Sequence, residues 1–138
     1  MAITAALCNS YKQEILSGTH TSSDTYKIAL YTSSATLSKA TTAYSSTNEV
    51  SGTGYSAGGA TLGSFATSLD TDTAILDFAD ASWANSTITA RGALIYNSSK
   101  SNKAVAVLDF GGDITSTAGT FTVTFPAAAA ATGLVRIA

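Results

Sequence analysis

Four aspartates, Asp70, Asp72, Asp77 and Asp80, make the densest carboxylate group in the chain. Carboxylate oxygens at close spacing are what calcium loops are built from, but the run lacks the D-x-D-x-D-G-x₅-E order that wraps an ion. Solvated turn carboxylates are the favoured reading, and no metal is assigned. His20 is the lone histidine and Cys8 the lone thiol. One imidazole and one thiol do not make a His-based triad or a multi-His metal site. His20 lies in the polar segment 18–24 and is expected to be solvated, whereas Cys8 lies in a helical pattern and is expected to be a small buried hydrophobe. The stretch EVSGTGYSAGG, residues 49–59, has four glycines. It lacks GxGxxG, a terminal Lys-Ser/Thr and a following helix pattern, so a tightly turning loop is favoured over a phosphate cradle.

Paired carboxylates for glycoside hydrolysis stay open in principle among nine acidic residues. Charged residues are nevertheless scarce and sit mostly in turns, where perturbed catalytic groups are not expected. The sequence therefore favours a protein that is not an enzyme, with no catalytic residue, cofactor or metal ligand assigned.

The elements centre on residues 90–113, ARGALIYNSSKSNKAVAVLDFGGD. Two apolar runs, Gly92–Tyr96 and Ala104–Phe110, flank a polar segment and read as a hairpin. Its second strand is apolar on both faces: Val105 and Val107 point one way, Ala104, Ala106 and Leu108 the other. One face can be covered by an opposing sheet. The other requires an N-terminal helix or a second copy of the protein.

Upstream, Ile3, Leu7, Tyr11 and Ile15 recur at spacings of four, predicting an amphipathic helix over about residues 3–17 with Thr4 as its cap and Ser17-Gly18 as its stop. Strands are predicted at Thr25–Tyr31, Ala60–Phe65, Thr73–Phe78, Ser86–Ala90, Thr120–Phe125 and Gly133–Ala138, with a turn at Asp70–Asp72. Ala127–Ala131 is ambiguous between a helical turn and a loop. Residues 32–48 read as a long Ser/Thr/Ala-rich surface loop, a length that usually goes with function or partner contact. Trp83, just before a strand, is a core or interface anchor.

The expected fold is mainly β: a single domain, residues 1–138, built as a two-sheet antiparallel β-sandwich (jelly-roll-like) with one N-terminal α-helix. Charged residues are only 12% of the chain and the formal net charge is -2, which opposes nucleic-acid binding. Ser and Thr make up roughly three residues in ten, well above ordinary usage. A mean hydropathy of +0.21 and regular apolar strands oppose disorder. The N-terminus has no basic start or long apolar run, and no window reads as a membrane span.

Five segments carry a family likeness: AALCNSYKQEIL, YKIALYTSSATL, NEVSGTGYSAGGATL, ARGALIYNSSKSNKAVAVLDFGG and GTFTVTFP. Over nearly its full length the chain resembles small structural proteins from the virion modules of tailed bacteriophages. The likeness implies no catalytic residues. It implies a virion location, after synthesis in the host cytoplasm, with the capsid surface favoured. The favoured role is a capsid decoration (cement) protein, with itself (as dimer or trimer) and the major capsid protein as partners. The alternative is a tail-associated or fibre-tip protein contacting the host surface, where exposed Tyr31, Tyr44 and Tyr55 would bind glycan. Those three tyrosines and Lys100 are the expected interface positions.

Overall fold

The computed structural model describes residues 2–126, 128, 129 and 131–137. Eight strands and one helix follow in chain order: β1 (Ala6–Leu7), α1 (Asn9–Leu16), β2 (Tyr26–Tyr31), β3 (Ala60–Thr61), β4 (Ala66–Asp70), β5 (Thr73–Asp77), β6 (Ala81–Asn97), β7 (Lys103–Val123) and β8 (Val135–Ile137). They form two antiparallel sheets, one of order β1-β7-β6-β2-β3 and one of order β4-β5-β8. The chain is mainly β, as its alternation patterns predict, and neither sheet closes into a barrel.

The expected hairpin is real and much longer than its apolar runs. β6 has 17 residues and β7 has 21, a ribbon about 55 Å long at ordinary strand rise. The predicted strands Ser86–Ala90 and Thr120–Phe125 are its far half, and Trp83 lies within β6 rather than before it. Four register shifts break the ribbon. At one, Ile95 pairs Ala106 while Tyr96 pairs Ala104, leaving Val105 as an extra residue. Such bulges bend and twist a strand that would otherwise run too far to stay on one core.

The predicted helix shortens at its start. Ile3 bridges Leu37, β1 pairs β7, and the Cys8 N–H donates to the Val105 carbonyl. These backbone groups are taken by extended pairing, so helix begins only at Asn9, and Thr4 is not its cap. The predicted strand Ala60–Phe65 also splits: β3 covers two residues, and β4 starts beyond it at Ala66. Asp70–Asp72 does turn, joining β4 to β5 through Thr71 and Asp72. The ambiguous run Ala127–Ala131 includes Ala127 and Ala130, which lie outside the described residues, as does Ala138 at the end of the last predicted strand.

The register assigns each face of the large sheet. Tyr26, Ile28 and Leu30 align with Asn97, Ile95 and Ala93. On this face Tyr26 packs on Phe65, just before β4, and Phe78, just after β5, at centroid distances of 5.4 Å each. Lys27, Ala29 and Tyr31 align with Tyr96, Leu94 and Gly92 on the other face. The cover of that second face is not the helix. It is the chain's own loop between β2 and β3, which stacks Tyr44 on Tyr96 at 4.7 Å. Leu94 and Ala104, on this second face, are fully buried as a result.

Gly59 brings that loop back to the sheet. It has φ +80°, and a Cβ there would overlap the Ile28 carbonyl just where β3 joins β2. Gly59→Ala is expected to lower unfolding free energy by about 3 kcal/mol, since both strain and overlap apply. Gly63 has open space where an added methyl group would stand, so Gly63→Ala should stay within about 0.5 kcal/mol of the parent. Urea-denaturation midpoints of the two variants measure the difference.

Candidate functional site

Apart from the buried Ser86–Ser116 hydroxyl pair within the ribbon, two polar side-chain clusters stand out among the described residues, one at the hairpin tip and one under the covering loop. At the tip, His20 follows the helix stop and folds back against α1. Its side chain is 2% exposed, which corrects the expectation of a solvated imidazole. Nε2 lies 2.9 Å from Glu14 Oε1, Nδ1 lies 3.0 Å from Asn97 Nδ2, and the ring packs on Tyr11. Asn97 is fully buried at the end of β6. Its Oδ1 accepts from the Ser99 N–H and so caps the 3₁₀ turn Ser98–Lys100, while its Nδ2 also donates to Asp24 Oδ2 at 2.8 Å.

These partners fix the amide orientation, because the flipped amide would put oxygen against the Asp24 carboxylate and NH₂ against the Ser99 N–H. Nδ1 of His20 must then accept, and Nε2–H must donate to Glu14. Both ring nitrogens are engaged, so the imidazole presents no free base to a substrate. Lys100 and Lys103 close the two ends, 3.1 Å from Asp24 Oδ1 and 3.5 Å from Glu14 Oε2. Burial acts to raise the Asp24 pKa, but hydrogen bonds from Asn97, the Thr21 N–H and Lys100 outweigh it and hold the carboxyl below its ordinary value.

The second cluster centres on Glu49. Tyr44 Oη and Tyr55 Oη donate to its two carboxylate oxygens at 2.6 Å each, and the Gly58 N–H donates at 2.8 Å. Tyr55 Oη also accepts from the Leu30 N–H, which carries the cluster to β2. Tyr31 donates to the Ser45 carbonyl and Tyr96 to the Gly58 carbonyl, each at 2.6 Å. Tyr31, Tyr44 and Tyr55 are thus brought together, but as the anchor of a loop. Tyr31 is 1% exposed, so the expectation that it displays its ring on the surface is corrected. Lys100 stands far from them in sequence and at the hairpin tip.

The four aspartates of residues 70–80 do not gather. Asp77 accepts from the neighbouring Phe78 N–H, while Asp80 accepts from the Phe125 N–H, 45 residues away. Among the described residues no three His, Cys, Asp or Glu side chains are placed to hold a metal ion. Cys8 is fully buried, and desolvation together with the Glu14 charge pushes its thiol up to about 11, so little reactive thiolate forms.

Sequence reasoning missed Glu49, Asp24, Asn97 and the buried state of His20. The signal for Asn97 was present in Asn-Ser-Ser-Lys, an amide placed to cap a turn after an apolar strand. Nothing local marks Glu49, because its partners come from both sides of it.

Two hollows accompany these clusters. One, about 210 Å³, lies between α1 and the small sheet and is lined by Tyr11, Ile15, His20, Phe65, Leu76 and Val135. The other, about 360 Å³, lies in the loop after β2 and is lined by uncharged groups including Ser34, Thr41, Ser45 and Asn48. No protein-family model, curated protein or solved structure matches this chain.

Two expectations follow for the clusters. Asn97→Ala strips partners from His20, Asp24 and the Ser99 N–H together, and should lower stability by about 2–4 kcal/mol in chemical denaturation. Because the folded Asp24 pKa lies below its ordinary 3.8, its contribution is complete above that pH and is lost as pH falls below it. The Tm penalty of Asp24→Asn should therefore be full at neutral pH and fade in acid.

All six tyrosines are shifted up, with burial the first cause in each and the Glu49 charge adding at Tyr31, Tyr44, Tyr55 and Tyr96. Groups raised in the folded state stabilise below their unfolded pKa and lose that contribution as pH rises. Absorbance titration should show no phenolate step near pH 10 in the native protein, then a single cooperative step with alkaline unfolding.

Proposed function

We propose that this chain is a bacteriophage virion structural protein, and within that class a capsid decoration protein that binds the outer shell and braces contacts between major capsid subunits. The observation that carries the reading is the exposed face of the β6–β7 ribbon. Ser82, Thr87 and Thr89 on β6 and Thr115, Thr117, Thr120 and Thr122 on β7 are exposed and uncharged, with Ser82 opposite Thr122 and Thr89 opposite Thr115. An uncharged hydroxyl-bearing surface can be buried against another protein without desolvating charge, in keeping with the depletion of charged groups from interface cores. The five segments that resemble phage structural proteins, spread over nearly the full length, point the same way.

In this reading the two sheets serve as layers of a β-sandwich, jelly-roll-like in form, and no chemical step is involved. Partners are further copies of itself and the major capsid protein. Each copy makes modest contacts, and repetition over a symmetric shell sums them by multivalency.

The alternative is a tail-associated or fibre-tip protein that contacts the host surface. The hydroxyl-lined hollow of about 360 Å³ beside Tyr31 is the observation that favours it, since such a hollow suits a neutral polyhydroxylated ligand. Its aromatic support is weaker, because Tyr31, Tyr44 and Tyr55 are all engaged in holding the loop. Electron microscopy of whole particles separates the two readings. Hundreds of copies over the shell are expected, and a handful at the tail tip would overturn the decoration reading.

A further inference from the structure

β4 is an open edge of unusual character for this chain. The other outer strands are blunted by devices that natural sheets use against unwanted pairing. β1 and β3 are two residues long, and β8 is three residues with Arg136 at its centre. The far half of the β6–β7 ribbon is broken by register shifts and carries positive φ at Asn85, Gly111 and Ala118. β4 has none of these. Ala66, Thr67, Ser68 and Leu69 are exposed, uncharged and in unbroken register with β5, and Leu69 is 75% exposed.

The backbone geometry of this edge is specific. β4 and β5 are joined by the two-residue turn Thr71-Asp72, with Asp70 and Thr73 as the closing pair. In such a hairpin the closing pair is hydrogen-bonded, so Asp70, Ser68 and Ala66 direct their backbone groups to β5. Thr67 and Leu69 direct theirs outward. Two copies of β4 placed antiparallel about a two-fold axis at Ser68 set Thr67 of one against Leu69 of the other, twice over. In each such pair the two outward N–H groups and the two outward carbonyls then find partners.

Charge permits this register. The two Asp70 carboxylates fall at opposite ends, about 14 Å apart at four residues of strand rise. The nearest facing pair, Asp70 and Asp77 of the second copy, sits two strands apart at about 10 Å. Both separations exceed the screening length of about 8 Å at physiological salt. The pairing also extends an exposed apolar row: Leu69, Ala74 and Ile137 share one face by register.

We propose that β4 pairs with β4 of a second copy across this two-fold axis, joining the small sheets into one six-stranded sheet. The inference rests on the reading of the protein as one that associates with itself, and it names the surface. Ser68 faces Ser68 at the axis as a non-hydrogen-bonded pair, where Cα atoms approach to about 4.5 Å, within disulfide reach. Ser68→Cys in the full-length protein is expected to form a disulfide-linked dimer on mild oxidation; the native Cys8 is buried and does not compete.

Thr67→Pro removes an outward N–H without breaking the β4–β5 ladder. Leu69→Lys adds an edge charge as a second, independent variant. Each is expected to weaken the dimer seen in analytical ultracentrifugation by at least about tenfold, with Tm essentially unchanged. A wild-type chain that stays monomeric, or a dimer that survives both variants while Ser68→Cys fails to cross-link, would overturn the proposal. Neither result touches copy number on the shell, so the decoration reading stands or falls separately.

Discussion

A β-ribbon that is apolar on both faces has to be kept dry on both, and here the second cover is a loop. A loop has no ladder of its own to hold it down, so side chains must do so. Glu49 supplies the fixed point: one carboxylate takes hydrogen bonds from Tyr44, Tyr55 and the Gly58 N–H. Tyr44 then lies flat on Tyr96, and Tyr55 reaches the backbone of β2. A carboxylate partly removed from water is stable there only because every hydrogen bond is charge-assisted. Removing any one tyrosine would leave the others with a weaker anchor and the apolar face with a thinner roof. Function at this loop, of whatever kind, therefore has to work with a surface that is held rather than mobile.

The hairpin tip solves a related problem. β6 must reverse into β7 beside α1 and the loop before β2, and four backbone segments converge on it. Asn97 satisfies three groups from two of them at once, His20 and Asp24 in the loop before β2 and the Ser99 N–H in the tip turn, which is why a neutral amide is fully buried there. The same economy appears in the ion pairs. Glu14, Asp24, Lys100 and Lys103 face inward to this network, and Arg91 pairs with Asp109 across the ribbon. With only 12% charged residues, a chain that uses many of them this way leaves broad faces uncharged. That is the physical link between a polar network at the tip and a hydroxyl surface on the ribbon.

The hairpin, β2, β5 and the turn at Thr71-Asp72 were legible because their signals are local: alternation, β-branched residues and a turn of small polar side chains. The N-terminal helix was over-extended because Ile3 and Leu7 fit a helical stripe equally well. What decided against helix was pairing with Leu37 and β7, which no local window contains. The burial of His20 was invisible for the same reason, as its partners come from α1 and from a residue 77 positions away. Tyr31, Tyr44 and Tyr55 share hydrogen bonds that hold one loop, and Tyr31 is buried where its ring was expected to be exposed, because composition cannot tell a tyrosine that faces solvent from one that fastens a loop.

The two sheets also differ in how they treat their margins, and that difference has a physical origin. The large sheet is twisted and bulged to bring a ribbon of about 55 Å back over one core, so irregular edges are a by-product of its length. The small sheet is short and needs no such correction. Short strands with an ordinary turn come out regular, and a regular edge stays open to pairing unless a charge or proline interrupts it. Arg136 interrupts β8, while β4 is left bare over four residues although Ser, Thr and Ala positions nearby could have carried lysine at little cost to the core. Satisfying both faces of the central hairpin within one chain removes any need for a second copy at the core. The proposed β4 pairing accordingly uses an edge, where backbone groups rather than buried side chains set the geometry.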